Sequence, residues 1–186
     1  EGINHIAALN IVNTAKGTYF LADTLVNNHP TAEALEEIVK LTNDSVKIFD
    51  LDPVIAMLSY SNFGADNTGS PVTVHKAVES LHKNHPEILV DGEMQVNFAL
   101  DKDLRSATYP FSKLEGKDVN TLIFPNLSSA NITYKTLLSM GLAENVGPVQ
   151  MGLKKPIYVC EPEASVRDIM NIVTIAVIDA QINGKK

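Results

Sequence analysis

The sequence has a single cysteine, no tryptophan and few other aromatic residues among its 186 positions. One cysteine excludes an internal disulfide, so the fold does not depend on an oxidising compartment. Cys160 follows an apolar run and precedes an acidic residue. A reactive thiol needs basic neighbours, so this setting favours a buried structural cysteine.

Positive charge is scarce as well, since the net charge is −7 and the longest basic run inside the chain is Lys154 followed by Lys155. A nucleic-acid surface must neutralise many phosphates, so we predict no nucleic-acid partner. No apolar run reaches about 18 residues, and the N-terminus lacks the basic start of a signal peptide. We therefore expect no membrane span and a cytoplasmic location.

Apolar periodicity alternates between short strands and amphipathic helices. Residues 3–12 and 18–26 flank a glycine-containing turn, which predicts an N-terminal antiparallel hairpin. Further strands are predicted at 54–58, 88–90, 121–124, 147–153 and 157–160. Helices are predicted at 31–49 with Thr31 as N-cap, 71–85, 94–100, from Ser128 or Ser129 onward, and 164–182. Residues 101–118 read as an irregular surface segment.

This alternation predicts an α/β fold, with a mostly parallel mixed sheet flanked by helices. The last predicted helix is apolar around most of its circumference, so it has to be buried on several sides. It is either central to this domain or covered by a surface that the chain does not supply. Because the chain also begins directly before a strand, we expect it to be a fragment of a longer protein.

Ligands of open α/β sheets bind beyond the carboxyl ends of strands, which selects the loops 59–64, 91–93, 126–131 and 147–155. In the first loop, Ser59, Ser61, Asn62 and Gly64 offer hydroxyl, amide and backbone N–H groups. Such donors suit a phosphate or a small oxyanion. The alternative is an ordinary serine-rich helix cap.

Two pairs of residues are candidates for a metal or for acid–base chemistry. Asp91 and Glu93 flank a glycine in a predicted turn, where they could bind a divalent cation, act as acid and base, or be solvated capping groups. His82 and His85 lie at the C-terminal end of a predicted helix, where histidine commonly meets the helix dipole. No third ligand is evident, so we predict no metal in this chain.

Short motifs in series resemble the phosphate acetyl/butyryl transferase family over nearly the whole chain. In order and spacing, these motifs are VIAMLSYS at 54–61, VDGEMQ at 90–95, IFPNL at 123–127, NITYK at 131–135 and GPVQMGL at 147–153. Finer features are similar to the transacetylase-like tail of large bacterial NADP-dependent malic enzymes. They lie at 61–64, 92–95, 129–131 and 179–181.

The resemblance implies a two-lobed fold of the isocitrate/isopropylmalate dehydrogenase type. Residues 1–148 would form the middle lobe and 149–186 the returning end of the other lobe, whose remainder the chain lacks. It also implies acetyl-CoA or CoA as ligand, a homodimer or larger homo-oligomer, and NADP and a divalent metal only in the missing malic-enzyme part. The candidate ligand-binding residues are Ser59, Ser61, Asn62, Gly64, Asn126, Asn131, Lys135, Gly147, Gly152, Lys154 and Lys155, with the three lysines as candidates for the ligand's phosphates.

The family reaction passes an acetyl group between phosphate and the thiol of coenzyme A, which requires a base and a stabilising cation. The resemblance places the base at Asp168, but the family's serine, arginine and glycine fall on Glu161, Pro162 and Glu163. Losing one such donor costs about 3–4 kcal/mol of transition-state stabilisation. We therefore expect a non-catalytic domain that binds acetyl-CoA as an allosteric regulator of malate oxidative decarboxylation.

Two alternatives remain open from the sequence. One is an active phosphate acetyltransferase, which another cation beside Asp168 would favour. The other is a structural oligomerisation module, which the apolar last helix suggests.

Overall fold

A computed structural model describes residues 5–153, 155, 157–160, 162 and 164–183. The strands are β1 (Ala7–Thr14), β2 (Gly17–Ala22), β3 (Ile55–Leu58), β4 (Val90–Met94), β5 (Thr121–Ile123) and β6 (Ala143–Met151). The helices are α1 (Ala32–Lys47), α2 (Gly69–Asn84), α3 (Val96–Leu100), α4 (Lys102–Thr108), α5 (Leu127–Ser139) and α6 (Val166–Asn183). The predicted α/β alternation is confirmed.

The strands form one mixed sheet in the order β4-β3-β5-β2-β1-β6. β1 runs antiparallel to both β2 and β6, whereas β2, β5, β3 and β4 pair in parallel. The predicted hairpin is therefore confirmed. Strand β6 crosses the expected lobe boundary at 148/149, and its pairing with β1 shifts register between Leu9 and Ile11. Because β6 runs parallel to β2, its carboxyl end shares an edge of the sheet with the other parallel strands.

Helices cover both faces of the sheet, because successive strand residues point to opposite sides. Ile55 and Met57 pack into a core shared with α1, α2 and α6. Ala56 and Leu58 pack into a second core shared with α3 and α5. Thr31 is the N-cap of α1, as predicted, and its side chain accepts a hydrogen bond from the Ala34 N–H.

Two local predictions are wrong in the middle of the chain. Asp91 and Glu93 do not stand in a turn but inside β4, because pairing with β3 continues to Met94. The segment 101–118 contains α4, which Asp101 caps.

Three further corrections concern the second half of the chain. Asn126, rather than Ser128 or Ser129, caps α5 by accepting from the Ser129 N–H. The predicted strand at 157–160 is reduced to a single bridge between Tyr158 and Val149. Cys160, expected to be buried, is exposed, because pairing with the sheet stops at Tyr158, two residues before it.

Helix α6 packs on the domain through one side. Ile172 and Ile175 are both buried, and Ile175 joins the core on the sheet. Much of the remaining surface is apolar and exposed, at Val166, Ile169, Met170, Val173 and Val177. Within the described part of the chain, no helix is both long and apolar enough to cross a membrane.

Candidate functional site

A cavity of about 160 Å³ lies between α5, β6 and the start of α6. It brings together three residues that the sequence singled out, namely Lys135, Gly147 and Asp168. The other lining residues are Asn10, Tyr134, Leu138, Asn145, Pro148, Ala164 and Ile172. This is a small, mixed polar and apolar site, suited to one end of a ligand rather than to a whole nucleotide.

Gly147 allows β6 to pass close to β1 at this cavity. Its φ is +127°, and a Cβ built on it would lie 3.0 Å from the Leu9 carbonyl oxygen. Both the backbone conformation and the contact disfavour any larger residue. The cavity wall therefore depends on glycine at this position.

The Asp168 carboxylate is engaged by its own helix. Its Oδ2 accepts from the Ser165 N–H at 2.8 Å and from the Ser165 hydroxyl at 2.7 Å, and the Ser165 Oγ accepts from the Asp168 N–H at 3.2 Å. This reciprocal arrangement is a capping box at the start of α6. The hydrogen bonds from the Ser165 side chain and backbone hold the pKa of Asp168 below its usual value.

Two basic residues line hollows that Asp168 also lines. Lys135 lines the same cavity, with its Nζ 5.2 Å from the centroid of the Tyr134 ring. Arg167 lines an adjoining hollow together with Asp168 and binds Glu144 through two hydrogen bonds, at 3.0 and 2.6 Å.

The aligned segment itself is only partly described. Pro162 is exposed, and Glu161, Glu163 and Lys154 lie outside the described residues.

The donors of the first predicted loop are already used by a carboxyl group of the protein, that of Glu93. Glu93 is 0% exposed, and its carboxylate accepts from the Gly64 N–H at 2.7 Å and from the Ser61 hydroxyl at 3.3 Å. The Nδ1 of His75 lies 3.0 Å from the other carboxylate oxygen. Asn62 accepts from the Gln95 N–H at 2.8 Å. These groups therefore hold β4 to the loop, and a role in ligand binding stays a prediction for them.

The remaining candidate residues are spread along the same edge of the sheet. Ser59 and Asn126 line an open pocket of about 460 Å³ beyond β3 and β5. Asn131 lies on α5, one turn before Lys135. Gly152 directly follows β6, and Lys155 is exposed.

The second acidic candidate is also satisfied internally. Asp91 accepts from the Ser112 hydroxyl at 2.7 Å and from the Lys113 N–H at 2.8 Å. The Nε2 of His82 lies 2.8 Å from the Val90 carbonyl oxygen and 3.7 Å from Asp91 Oδ1. Among the residues that the structure describes, no group of three or more His, Cys, Asp or Glu is arranged to hold a metal.

Sequence reasoning missed two amides in the cavity wall. Asn10 is 2% exposed in the middle of β1, among aliphatic neighbours, and donates to the Asn145 Oδ1 at 2.7 Å. An amide inside an otherwise apolar strand has to be hydrogen-bonded, which is the signal that could have found it. Asn145 carried no such signal, because it follows the charged Glu144 in β6 and is only half-buried.

The chain is similar to two kinds of curated protein. The profile of the family described as phosphate acetyl/butaryl transferase matches residues 1–177. An NADP-dependent malic enzyme of Escherichia coli (strain K12) is 40% identical over 182 residues, which cover 97% of this chain and 24% of that protein. A phosphate acetyltransferase of Clostridium acetobutylicum is 35% identical over 167 residues, or 89% of this chain and 50% of that protein.

The fold matches solved phosphotransacetylases. A phosphotransacetylase from Streptococcus pyogenes superposes with a TM-score of 0.89 at 34% identity, covering 96% of this chain and 55% of that one. The chain thus spans about a quarter of the malic enzyme and about half of the two transferases.

Proposed function

Because the chain belongs to the phosphate acetyl/butyryl transferase family, we propose that it binds acetyl-CoA and regulates an NADP-dependent malic enzyme without transferring the acetyl group itself. The acyl end of the ligand enters the cavity between α5, β6 and α6. Malate oxidation takes place elsewhere in the larger protein. Lys135 supplies positive charge at the cavity, and Lys154 and Lys155 are further candidates for the ligand's phosphates.

The hydrogen bonding of the Asp168 carboxylate is the observation on which this proposal depends. Asp168 is the residue that matches the family's base, yet two donors from Ser165 stabilise its charged form. A carboxylate with a lowered pKa is a weak base toward a thiol, whose own pKa is about 8.5. The segment that aligns with the family's cation moreover carries Glu161, Pro162 and Glu163, so the sequence there supports binding over acyl transfer.

Acetyl-CoA added to the full-length protein is expected to lower malate-dependent NADPH production about fivefold or more, the usual range of allosteric coupling. Replacing Lys135 by methionine removes a cation from the cavity and should raise the half-inhibitory acetyl-CoA concentration about tenfold. Lys102→Met, at an exposed lysine paired with Asp118, is the matched control and should leave that concentration unchanged. An absence of inhibition at saturating acetyl-CoA rules the proposal out.

An active transferase is the second candidate, and the presence of Lys135 in the same cavity as Asp168 favours it. The same preparation, assayed for acetyl-CoA formation from acetyl phosphate and CoA, is expected to show only the background rate. A rate above background that disappears in both Asp168→Asn and Lys135→Met would establish the transferase instead.

We also propose that residues 1–148 and 149–186 belong to two lobes of a larger fold, the remainder of which covers the exposed face of α6. The apolar side chains on that face support this arrangement. So does the match to only 55% of a solved phosphotransacetylase. A second copy of the chain covering the same face is the alternative, as in an oligomerisation module.

In the full-length protein, Val173→Gln is expected to lower the free energy of unfolding by about 2 kcal/mol, because it places an amide in a covered apolar contact. The matched control is Ile132→Gln on α5, whose parent side chain is 66% exposed, compared with 52% for Val173. The control should cost less than about 0.5 kcal/mol. Equal effects in urea unfolding would show that α6 is uncovered, and dissociation of an oligomer by Val173→Gln in light scattering would assign the face to a second copy.

A further inference from the structure

A chain of three polar side chains leads from the carboxyl end of β2 into the cavity. The Thr24 hydroxyl donates to Asn10 Oδ1 at 2.6 Å, and Asn10 Nδ2 donates to Asn145 Oδ1 at 2.7 Å. Thr24 and Asn10 are both buried, whereas Asn145 is half-buried and lines the cavity with Asn10. Buried polar groups of this kind hold one another in a single orientation.

The contacts of Asn145 fix which group donates and which accepts in each of these hydrogen bonds. Asn145 Nδ2 faces the carbonyl oxygen of Gly147 at 3.4 Å, where the amide oxygen would be repelled. The Asn145 oxygen therefore faces Asn10, which has to present its NH₂ group there and its own oxygen to Thr24. The Asn145 amide carries two N–H bonds, and the carbonyl of Gly147 is their one acceptor among the described residues.

We propose that Asn145 donates a hydrogen bond to the carbonyl oxygen of the acyl group of an acyl-CoA, and that Asn10 and Thr24 are positioning residues for it. This inference rests on the proposed function, since it concerns the ligand of the same cavity. Asn145 would then distinguish an acylated from a free coenzyme A thiol.

The small size and the apolar part of the cavity favour a neutral carbonyl over a phosphate as the acceptor. The cavity wall carries both an acid, Asp168, and a base, Lys135. Glu144 beside Asn145 is paired with Arg167, so charge alone does not select the acceptor. The apolar part of the wall, from Leu138, Pro148 and Ile172, suits a short acyl chain.

The test compares acetyl-CoA with CoA by calorimetric titration of the full-length protein. Asn145→Ala is expected to weaken acetyl-CoA binding about tenfold, the upper value for one ordinary hydrogen bond, and to leave CoA binding unchanged. Asn145→Asp keeps the shape and loses the N–H donor, so it should weaken acetyl-CoA binding at least as much.

Thr24 provides the matched pair for the positioning role. Thr24→Val removes the hydroxyl and should lower the ratio of acetyl-CoA to CoA affinity severalfold, whereas Thr24→Ser retains the hydroxyl and should preserve the ratio. A merely structural role would change both affinities together. Because Asn145 is half-buried, its variants still decide the question if Thr24→Val does not fold.

Three outcomes are separable. If Asn145→Ala and Asn145→Asp change the two affinities equally or not at all, this inference is wrong while the proposed acyl-CoA site stands. If the unmodified protein binds neither ligand, the proposed function fails and the inference fails with it. A selective loss of acetyl-CoA binding in both variants supports the inference.

Discussion

Replacing Arg105 by alanine is expected to lower the free energy of unfolding by about 4 kcal/mol, the largest effect of any single substitution considered for this chain. The guanidinium is 0% exposed and donates to the backbone carbonyls of Phe98, Ala99, Leu114 and Lys117. These carbonyls belong to α3 and to the segment that follows α4. Without Arg105, all four carbonyls lose the guanidinium as a donor, two of them, those of Ala99 and Leu114, in buried contacts. The packing of the alkyl stem of Arg105 is lost as well.

Because Arg105 is buried, its contribution to stability depends on the shape of the guanidinium as well as on its charge. Desolvation lowers the pKa of Arg105, although Asp118, Asp91 and Asp101 oppose that shift. An arginine remains protonated even so. Arg105→Lys keeps the charge but cannot reach four carbonyls from one ammonium group, so we expect it to cost about half as much as the alanine variant.

The measurement is urea unfolding followed by circular dichroism, because the chain has no tryptophan to report by fluorescence. Arg167→Ala is the matched control, since Arg167 is exposed and binds Glu144, which is exposed as well. Exposed ion pairs contribute at most about 1 kcal/mol. Similar losses for the two alanine variants would contradict the assignment of Arg105 as the organising group of residues 98–117.

Gly92→Ala is expected to lower the free energy of unfolding by about 3 kcal/mol or more, from steric overlap with a neighbouring strand. A Cβ built on Gly92 would lie 2.5 Å from the Met57 carbonyl oxygen and 3.1 Å from the Met57 Cβ. A backbone carbonyl in a paired strand cannot rotate away as a flexible side chain would. Strands β3 and β4 would have to separate at the point where Glu93 anchors the 61–64 loop.

Gly17→Ala is the control that separates the energetic cost of the steric contact from the cost of the backbone conformation. Gly17 also has a positive φ, at +135° against +147° for Gly92, but a Cβ on it would meet nothing within 4 Å. Gly17→Ala should therefore cost only about 1 kcal/mol, from the conformation alone. Equal midpoint shifts in urea for the two variants would mean that the β3–β4 pair yields to the added methyl group.

Local patterns were sufficient for much of the fold. The bounds of α1 and its Thr31 cap, the hairpin of β1 and β2, and the buried strand β3 depend on residues that are close in sequence, so periodicity and capping chemistry predicted them. The prediction of a turn at 91–93 was wrong, because it was based on the polarity of the two acidic residues there. Asp91 and Glu93 look like turn residues, yet each finds its donors in segments about 18–32 residues away, and this long-range satisfaction allows charged groups inside a strand.

The candidate site was only partly predictable for the same reason. Asp168, Lys135 and Gly147 were chosen one by one, from motifs, and the structure places all three around one cavity. That Lys135, on α5, stands across from Asp168, on α6, depends on how the two helices pack beside β6. Sequence spacing does not predict such a contact. The hydrogen-bonded side chains of Thr24, Asn10 and Asn145 could not be predicted either, because they meet only when β1 pairs with β6.

The amino-acid order by itself determined the alternation of buried strands and helices, the mostly parallel sheet and the family to which the chain belongs, because each of these is written in short-range periodicity and in motifs. The tertiary structure alone decided which donors meet which acceptors. Ser61 and Gly64 donate hydrogen bonds to Glu93, and Ser165 donates to the carboxylate of Asp168. Arg105 donates to four backbone carbonyls. Hydrogen-bond partners are chosen by proximity in space, and packing across the sheet creates that proximity only after the chain has folded.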